Sequence, residues 1–197
     1  MMLIANHTAY GFNYFYPTIV KGFGLGSETI TLVLTAPPYL VAAVCAMVVA
    51  YSSDRCAERG WHISVPMAVA AAGFIISAAT FDDAVRYFAS FLFICGCFSA
   101  NAGVFTWISS TLNQSPEKKS AAVALINLLS QFGNIWSPYF FRPQDAPRYL
   151  LAMLLMVGFA IISVGMALIM KLSLKRANKR ILSAFDQTDE SPVLFTT

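Results

Sequence analysis

Long apolar runs separated by short polar breaks dominate the chain. Six runs reach the length a membrane-spanning helix needs, about 20 mainly apolar residues at 1.5 Å rise each: residues 1–20, 29–51, 63–80, 87–112, 120–141 and 149–170. None of the six contains Asp, Glu, Lys or Arg, and His7 is the one imidazole inside a run. The pattern predicts an all-α, polytopic membrane protein with six transmembrane helices. Residues 1–172 form that domain, and residues 173–197 form a cytoplasmic tail with too little apolar length to cross again, expected to be disordered. The first run is a poor secretory signal, because no basic region precedes it and Asn6, Asn13 and Pro17 interrupt it.

Composition strengthens this reading. Apolar residues make up 57% of the chain and charged residues 12%, roughly half the charged share of a soluble globular protein. So few charges cannot cover a water-exposed surface, and the lipid bilayer is the expected solvent. A net charge of +3 with no basic stretch interleaved with stacking aromatics excludes a nucleic-acid partner. Cys45, Cys95 and Cys97 lie inside apolar runs, where a small polarizable side chain packs well. Cys95 and Cys97 are two apart and point in different directions on a helix, so they do not share a metal. No metal or other cofactor is implied. A Gly-rich nucleotide loop, a paired-His motif and a nucleophile elbow are all missing from the sequence, which argues against an enzyme.

The charges that remain set an orientation. Six spans put both termini on one side, together with Arg55, Arg59, Lys118, Lys119, Lys171, Lys175, Arg176, Lys179 and Arg180. The other side holds Lys21, Arg86, Arg142 and Arg148. By the positive-inside rule the nine-cation side faces the cytoplasm. The basic start of the tail then lies against anionic headgroups. The expected location is multi-pass in the plasma membrane, with both termini cytoplasmic.

Polar residues inside the spans are where function is sought. Asn6, Tyr10, Asn13 and Pro17 are spaced by four, three and four, which is one helical face. Asn127, Gln131 and Asn134 repeat at four and three in the fifth span, with Gly133 and Pro138 positioned to bend it. An unpaired amide in hydrocarbon costs several kcal/mol, so these groups must meet partners or water. Two readings fit both sets: a wet cavity that hydrogen-bonds a polar solute, or interhelical contacts that satisfy each amide internally. Pro37-Pro38 removes backbone donors from the second span, whose freed carbonyls then need partners. In the fourth span, Cys95, Ser99, Ala102 and Thr106 form a small face adjoining Gly96 and Gly103, suited to close packing. Trp107 is expected to anchor that span at the membrane interface.

Between the second and third spans the residues read Ser53-Asp54-Arg55-Cys56-Ala57-Glu58-Arg59. This resembles the Asp-Arg-x-x-x-Arg loop motif of the major facilitator superfamily, with Ala50 where the motif carries Gly. Tyr16-Pro17-Thr18-Ile19, Ala36-Pro37-Pro38-Tyr39, Trp107-Ile108-Ser109-Ser110, Gly133-Asn134 with Ser137-Pro138-Tyr139, and Asp145 to Tyr149 are similar to the fungal anion:cation symporter branch, which includes allantoate, nicotinate and pantothenate permeases. Thr111 stands where that branch often has Asn. The resemblance covers the carboxy-terminal six helices, one half of the fold.

That resemblance implies proton-coupled movement of a small organic anion or vitamin-like solute by alternating access, in which two six-helix halves rock about a central site. It places substrate binding on Asn6, Tyr10, Asn13 and Tyr14 and on Asn127, Gln131 and Asn134. It makes Asp54, Arg55 and Arg59 the gate loop that latches the mouth. Intramembrane charges are costly and are kept where they work. Since the spans carry none, the coupling group and the anion's countercharge are expected in a missing amino-terminal half or in another mechanism. The first run begins at Met1 without the linker found in that family, so a truncated or incomplete gene product is expected, while a second copy completing twelve helices is sterically permitted. The alternatives are a non-transporting membrane subunit or remnant, and an efflux carrier for a secondary metabolite.

Overall fold

The computed structural model describes residues 5, 9–21, 28–111, 116–146, 149–184 and 195. These are almost entirely helical, and four helices are long and apolar enough to cross a bilayer. The protein is an all-α, polytopic membrane protein. A 3-10 turn, Tyr10–Tyr14, leads into α1 (Tyr16–Lys21), followed by α2 (Glu28–Cys56), α3 (Gly60–Ala79), α4 (Asp83–Thr111), α5 (Pro116–Ser130), α6 (Phe132–Trp136), two further 3-10 turns and α7 (Leu150–Ala184). The spanning helices are α2, α3, α4 and α7.

Glycines set how closely these helices approach. A methyl group added at Gly96 of α4 would stand 2.3 Å from the carbonyl oxygen of Pro66 and 2.9 Å from the Ala70 nitrogen, both on α3. Gly73 of α3 meets the backbone of Phe93 and Ala89 in the same way, and Gly103 meets Ile63. The small face expected on this span therefore does pack, chiefly through its glycines, while Ala102 and Thr106 stay exposed. Phe12, Phe74 and Phe93 close the centre, with Phe74 stacked on Phe93 at 4.7 Å and Phe12 edge-on to Phe93 at 4.8 Å. Helix α7 covers the other side of α3, burying Met153, Met156, Ala160 and Ala167.

Three expectations need correction. Trp107 is fully buried in the core and does not sit at an interface; the half-exposed tryptophan near that end of the bundle is Trp61. The last helix does not stop at residue 170 but runs to Ala184. An uninterrupted run of good helix formers and cations, with no Gly or Pro, carries it on. Phe195 also returns to it, exchanging two hydrogen bonds with the Asn178 amide at 2.8 and 2.9 Å. Finally, Arg86, expected in a loop, is buried in the first turns of α4 near Asp83 at 3.8 Å.

The first and fifth expected spans are interrupted. Helix α5 ends at Ser130, Gln131 forms a turn, and the chain continues as the five-residue α6 and the 3-10 turn Ser137–Phe140. Pro138 has no N–H for the carbonyl four residues back, and Gly133 adds backbone freedom, so the α-helical ladder gives way here. Fifteen residues of α5 rise about 22 Å, short of a bilayer's hydrocarbon core of about 30 Å. Residues 10–21 likewise pass from 3-10 to α geometry within twelve residues.

Candidate functional site

The two interrupted segments lie against each other. Gly11 approaches Ser137 so closely that an added methyl would fall 2.0 Å from the Ser137 Oγ. Four residues along each chain, Phe15 stacks on Phe141 at 4.5 Å, nearly parallel. Within the membrane, non-helical backbone is tolerated where protein buries it or where it lines a wet cavity. Ser137 is fully buried, yet its hydroxyl finds no hydrogen-bond partner among the described residues.

Around this junction, hydroxyls and amides form short chains between elements. The Tyr39 hydroxyl of α2 donates to Asn13 Oδ1 at 2.9 Å, tying the 3-10 turn to α2. Tyr16 and Ser90 share a buried hydrogen bond of 2.8 Å, and Ser90 donates on to the Tyr87 carbonyl at 2.6 Å. Tyr87 donates to the Leu34 carbonyl at 2.9 Å. Leu34 lies four residues before Pro38, so this oxygen is one that the proline leaves without a backbone donor. The partner that Pro37-Pro38 demanded is thus a tyrosine of a neighbouring helix. The sequence pattern marks Tyr16 and Tyr39 only as parts of family-like motifs, and it gives Tyr87 and Ser90 no role. Their hydroxyls were the available signal.

The fifth-span amides form a ladder along one face. Gln131 Nε2 donates to Asn127 Oδ1 at 3.3 Å, and Asn134 Nδ2 donates to Gln131 Oε1 at 2.7 Å. Asn127 and Gln131 are exposed on the surface of the chain and Asn134 is half-buried. Of the first-span residues, Asn6 lies outside the described residues, Tyr10 opens the 3-10 turn, Asn13 is held by Tyr39, and Tyr14 is 63% exposed. The two polar segments are therefore brought together through Gly11–Ser137 and Phe15–Phe141.

The charged loop forms a separate centre at the far end of α2. Asp54 pairs with Arg59 at 2.8 Å inside the loop, and Arg55 is exposed. Ala57 ends α2 at φ 49°, the left-handed conformation that commonly closes a helix and usually selects glycine. The contact leaving the loop is made by Glu58, which the motif did not single out. It accepts a short hydrogen bond from the ammonium of Lys171 on α7, and that hydrogen bond holds its carboxyl below the ordinary carboxylate range. Lys171 is buried, lies 4.8 Å over the Trp61 ring and packs its methylenes onto Gly60, where no side chain would fit.

Comparison with known proteins gives the chain its relatives. It is 28% identical over 177 residues to an uncharacterized transporter of Schizosaccharomyces pombe, covering 89% of this chain and 35% of the relative. It is 33% identical over 138 residues to a major facilitator-type transporter of Emericella nidulans, covering 68% of this chain and 28% of that protein. A high-affinity nicotinic acid transporter of Saccharomyces cerevisiae is 26% identical over 184 residues, 93% of this chain and 34% of the yeast protein. All three relatives are named as transporters, the Emericella protein as one of the major facilitator type, and the chain spans about a third of the length of these curated relatives. No protein-family model matches the chain, and no solved structure does.

Proposed function

We propose that this chain supplies a six-helix half of a major facilitator superfamily carrier that moves a small organic anion or vitamin-like solute, proton-coupled when the twelve-helix unit is complete. The observation that carries the reading is the meeting of two interrupted helices at Gly11 and Ser137, with a buried hydroxyl left unsatisfied there. Discontinuous helices of this kind place polar backbone and side chains at the solute site of secondary transporters. Asn6, Tyr10, Asn13, Tyr14, Asn127, Gln131 and Asn134 are the proposed contacts to solute. Asp54, Arg55 and Arg59 are the proposed gate loop on the cytoplasmic face of a plasma-membrane protein. A carboxylate such as nicotinate fits the yeast relative's name.

Arg86 and Lys171 are buried near the start of α4 and just past the apolar run of α7, and the six apolar runs themselves carry no Asp, Glu, Lys or Arg. The countercharge for an anion is accordingly assigned to an amino-terminal half. The test is uptake of labelled nicotinate and related carboxylates into proteoliposomes that hold the complete twelve-helix unit, with and without a protonophore. The reading expects gradient-dependent uptake that Asn134→Leu reduces at least tenfold.

A second reading follows from the third of each relative that the chain spans. In it the chain is a membrane subunit that acts only with a partner. Correctly inserted but inert protein, monomeric by native mass in detergent, would favour that reading over a self-paired carrier.

A further inference from the structure

Beside the charged loop, α2 and α3 form an open groove of about 220 Å³, lined by Val49, Trp61, His62, Val65 and Pro66. Its walls are almost wholly apolar and belong to spanning helices, so it faces the acyl region of the bilayer. Directly above it the chemistry changes. The Trp61 ring carries the Lys171 ammonium at 4.8 Å, and Lys171 is neutralised by Glu58. Lys175, one turn further along α7, also acts on Glu58, as does His62. One carboxylate, Glu58, thus faces two lysines, Lys171 and Lys175. The imbalance grows along α7, because Leu150–Ala184 carries Lys171, Lys175, Arg176, Lys179 and Arg180 and no acidic residue. Lys175 and Lys179 are exposed and four residues apart, so they lie on one face.

An apolar groove that ends near cations with no acidic partner but Glu58 among the described residues, with a tryptophan at the boundary, has the polarity profile of a phospholipid. We propose that this junction holds one anionic phospholipid, an acyl chain lying in the Val49–Trp61–Val65 groove and the phosphate drawn to Lys175 and Lys179. The site depends on the chain residing in a bilayer and holds whether or not the chain transports. It also gives the extension of α7 past the apolar run a purpose, since the continued helix holds Lys175 and Lys179 on one face where an unstructured tail would not. Each lysine near an anionic surface strengthens attachment about fivefold.

The test is native mass spectrometry of the full chain released from detergent, after adding equal amounts of phosphatidylglycerol and phosphatidylcholine with identical acyl chains. The unaltered chain is expected to retain one phosphatidylglycerol at least fivefold over phosphatidylcholine. The exposed pair Lys175→Gln/Lys179→Gln should remove that preference, and Val65→Trp, which fills the groove, should lower retention of both lipids. Equal retention of the two lipids by the unaltered chain would overturn the site. So would an undiminished preference in the lysine variant, or unchanged retention in Val65→Trp.

Discussion

The hydroxyl of Tyr87 on α4 donates to the carbonyl of Leu34 on α2 at 2.9 Å, at the one turn where Pro38 has removed that carbonyl's own backbone donor. The proline and the tyrosine are therefore complementary parts of one contact. At this part-buried site the cross-helix hydroxyl supplies the donor that the proline lacks.

Tyr87→Phe should destabilise the protein by about 1 kcal/mol, the net worth of one hydrogen bond to a part-buried acceptor. Pro38→Ala restores an N–H to Leu34, and in that background the same Tyr87→Phe change should cost under about 0.5 kcal/mol. Thermal denaturation of the four proteins in detergent completes the double-mutant cycle.

Glycine positions on the spanning helices should separate into two classes. Gly96→Ala forces a methyl to within 2.3 Å of the Pro66 carbonyl, which the α3 backbone cannot avoid without moving. The expected loss is about 1–3 kcal/mol, the usual cost of overpacking. Gly158 of α7 has open space where its methyl would go, so Gly158→Ala should be neutral or stabilising by up to about 1 kcal/mol through helix propensity. Detergent melting curves of both variants check this.

The Glu58–Lys171 pair predicts a pH dependence of definite sign. The carboxyl titrates lower in the folded protein than in the unfolded chain, chiefly because Lys171 donates to it. Its contribution is complete above the ordinary glutamate pKa of about 4.3 and is lost as pH falls through the lowered folded value. Glu58 is partly exposed, so Glu58→Gln should cost roughly 1 kcal/mol at pH 7, between the values for surface and buried pairs. The difference in melting between Glu58→Gln and the unaltered chain should hold from pH 7 to about 5 and shrink once the pH drops below about 4.

Much of this architecture is legible in the residues. The apolar runs that give α2, α3, α4 and α7 announce themselves by length and by the lack of charge, and Gly96 and Gly103 announce the tight α3–α4 crossing. The interruptions are written less plainly. Pro138 marks the break after α6, but the turn at Gln131 has no local signal beyond the nearby Gly133, because the broken form depends on Gly11 packing against Ser137 from far away in sequence. Trp107 misleads for a related reason. Position along a span suggests an interface, whereas the neighbours that bury it come from other helices. Glu58 is invisible to a motif of Asp and Arg, since its importance comes from Lys171, 113 residues away. Local pattern fixes which segments enter the membrane; the polar contacts among them are long-range and need the packed structure.

The central claim is that the amide ladder of Asn127, Gln131 and Asn134 faces a wet solute path instead of lipid. Leu129 lies between Asn127 and Gln131 in sequence, at nearly the same depth, and points to the other side of the helix. All three residues are exposed on the chain's own surface, so burial alone does not distinguish them. In a background lacking Cys45, Cys56, Cys95 and Cys97, the decisive measurement is the labelling rate of Gln131→Cys and Leu129→Cys in proteoliposomes by a water-soluble methanethiosulfonate. A wet path predicts that Gln131→Cys reacts at least tenfold faster than Leu129→Cys. Equal rates, or faster labelling at Leu129→Cys, would contradict the account.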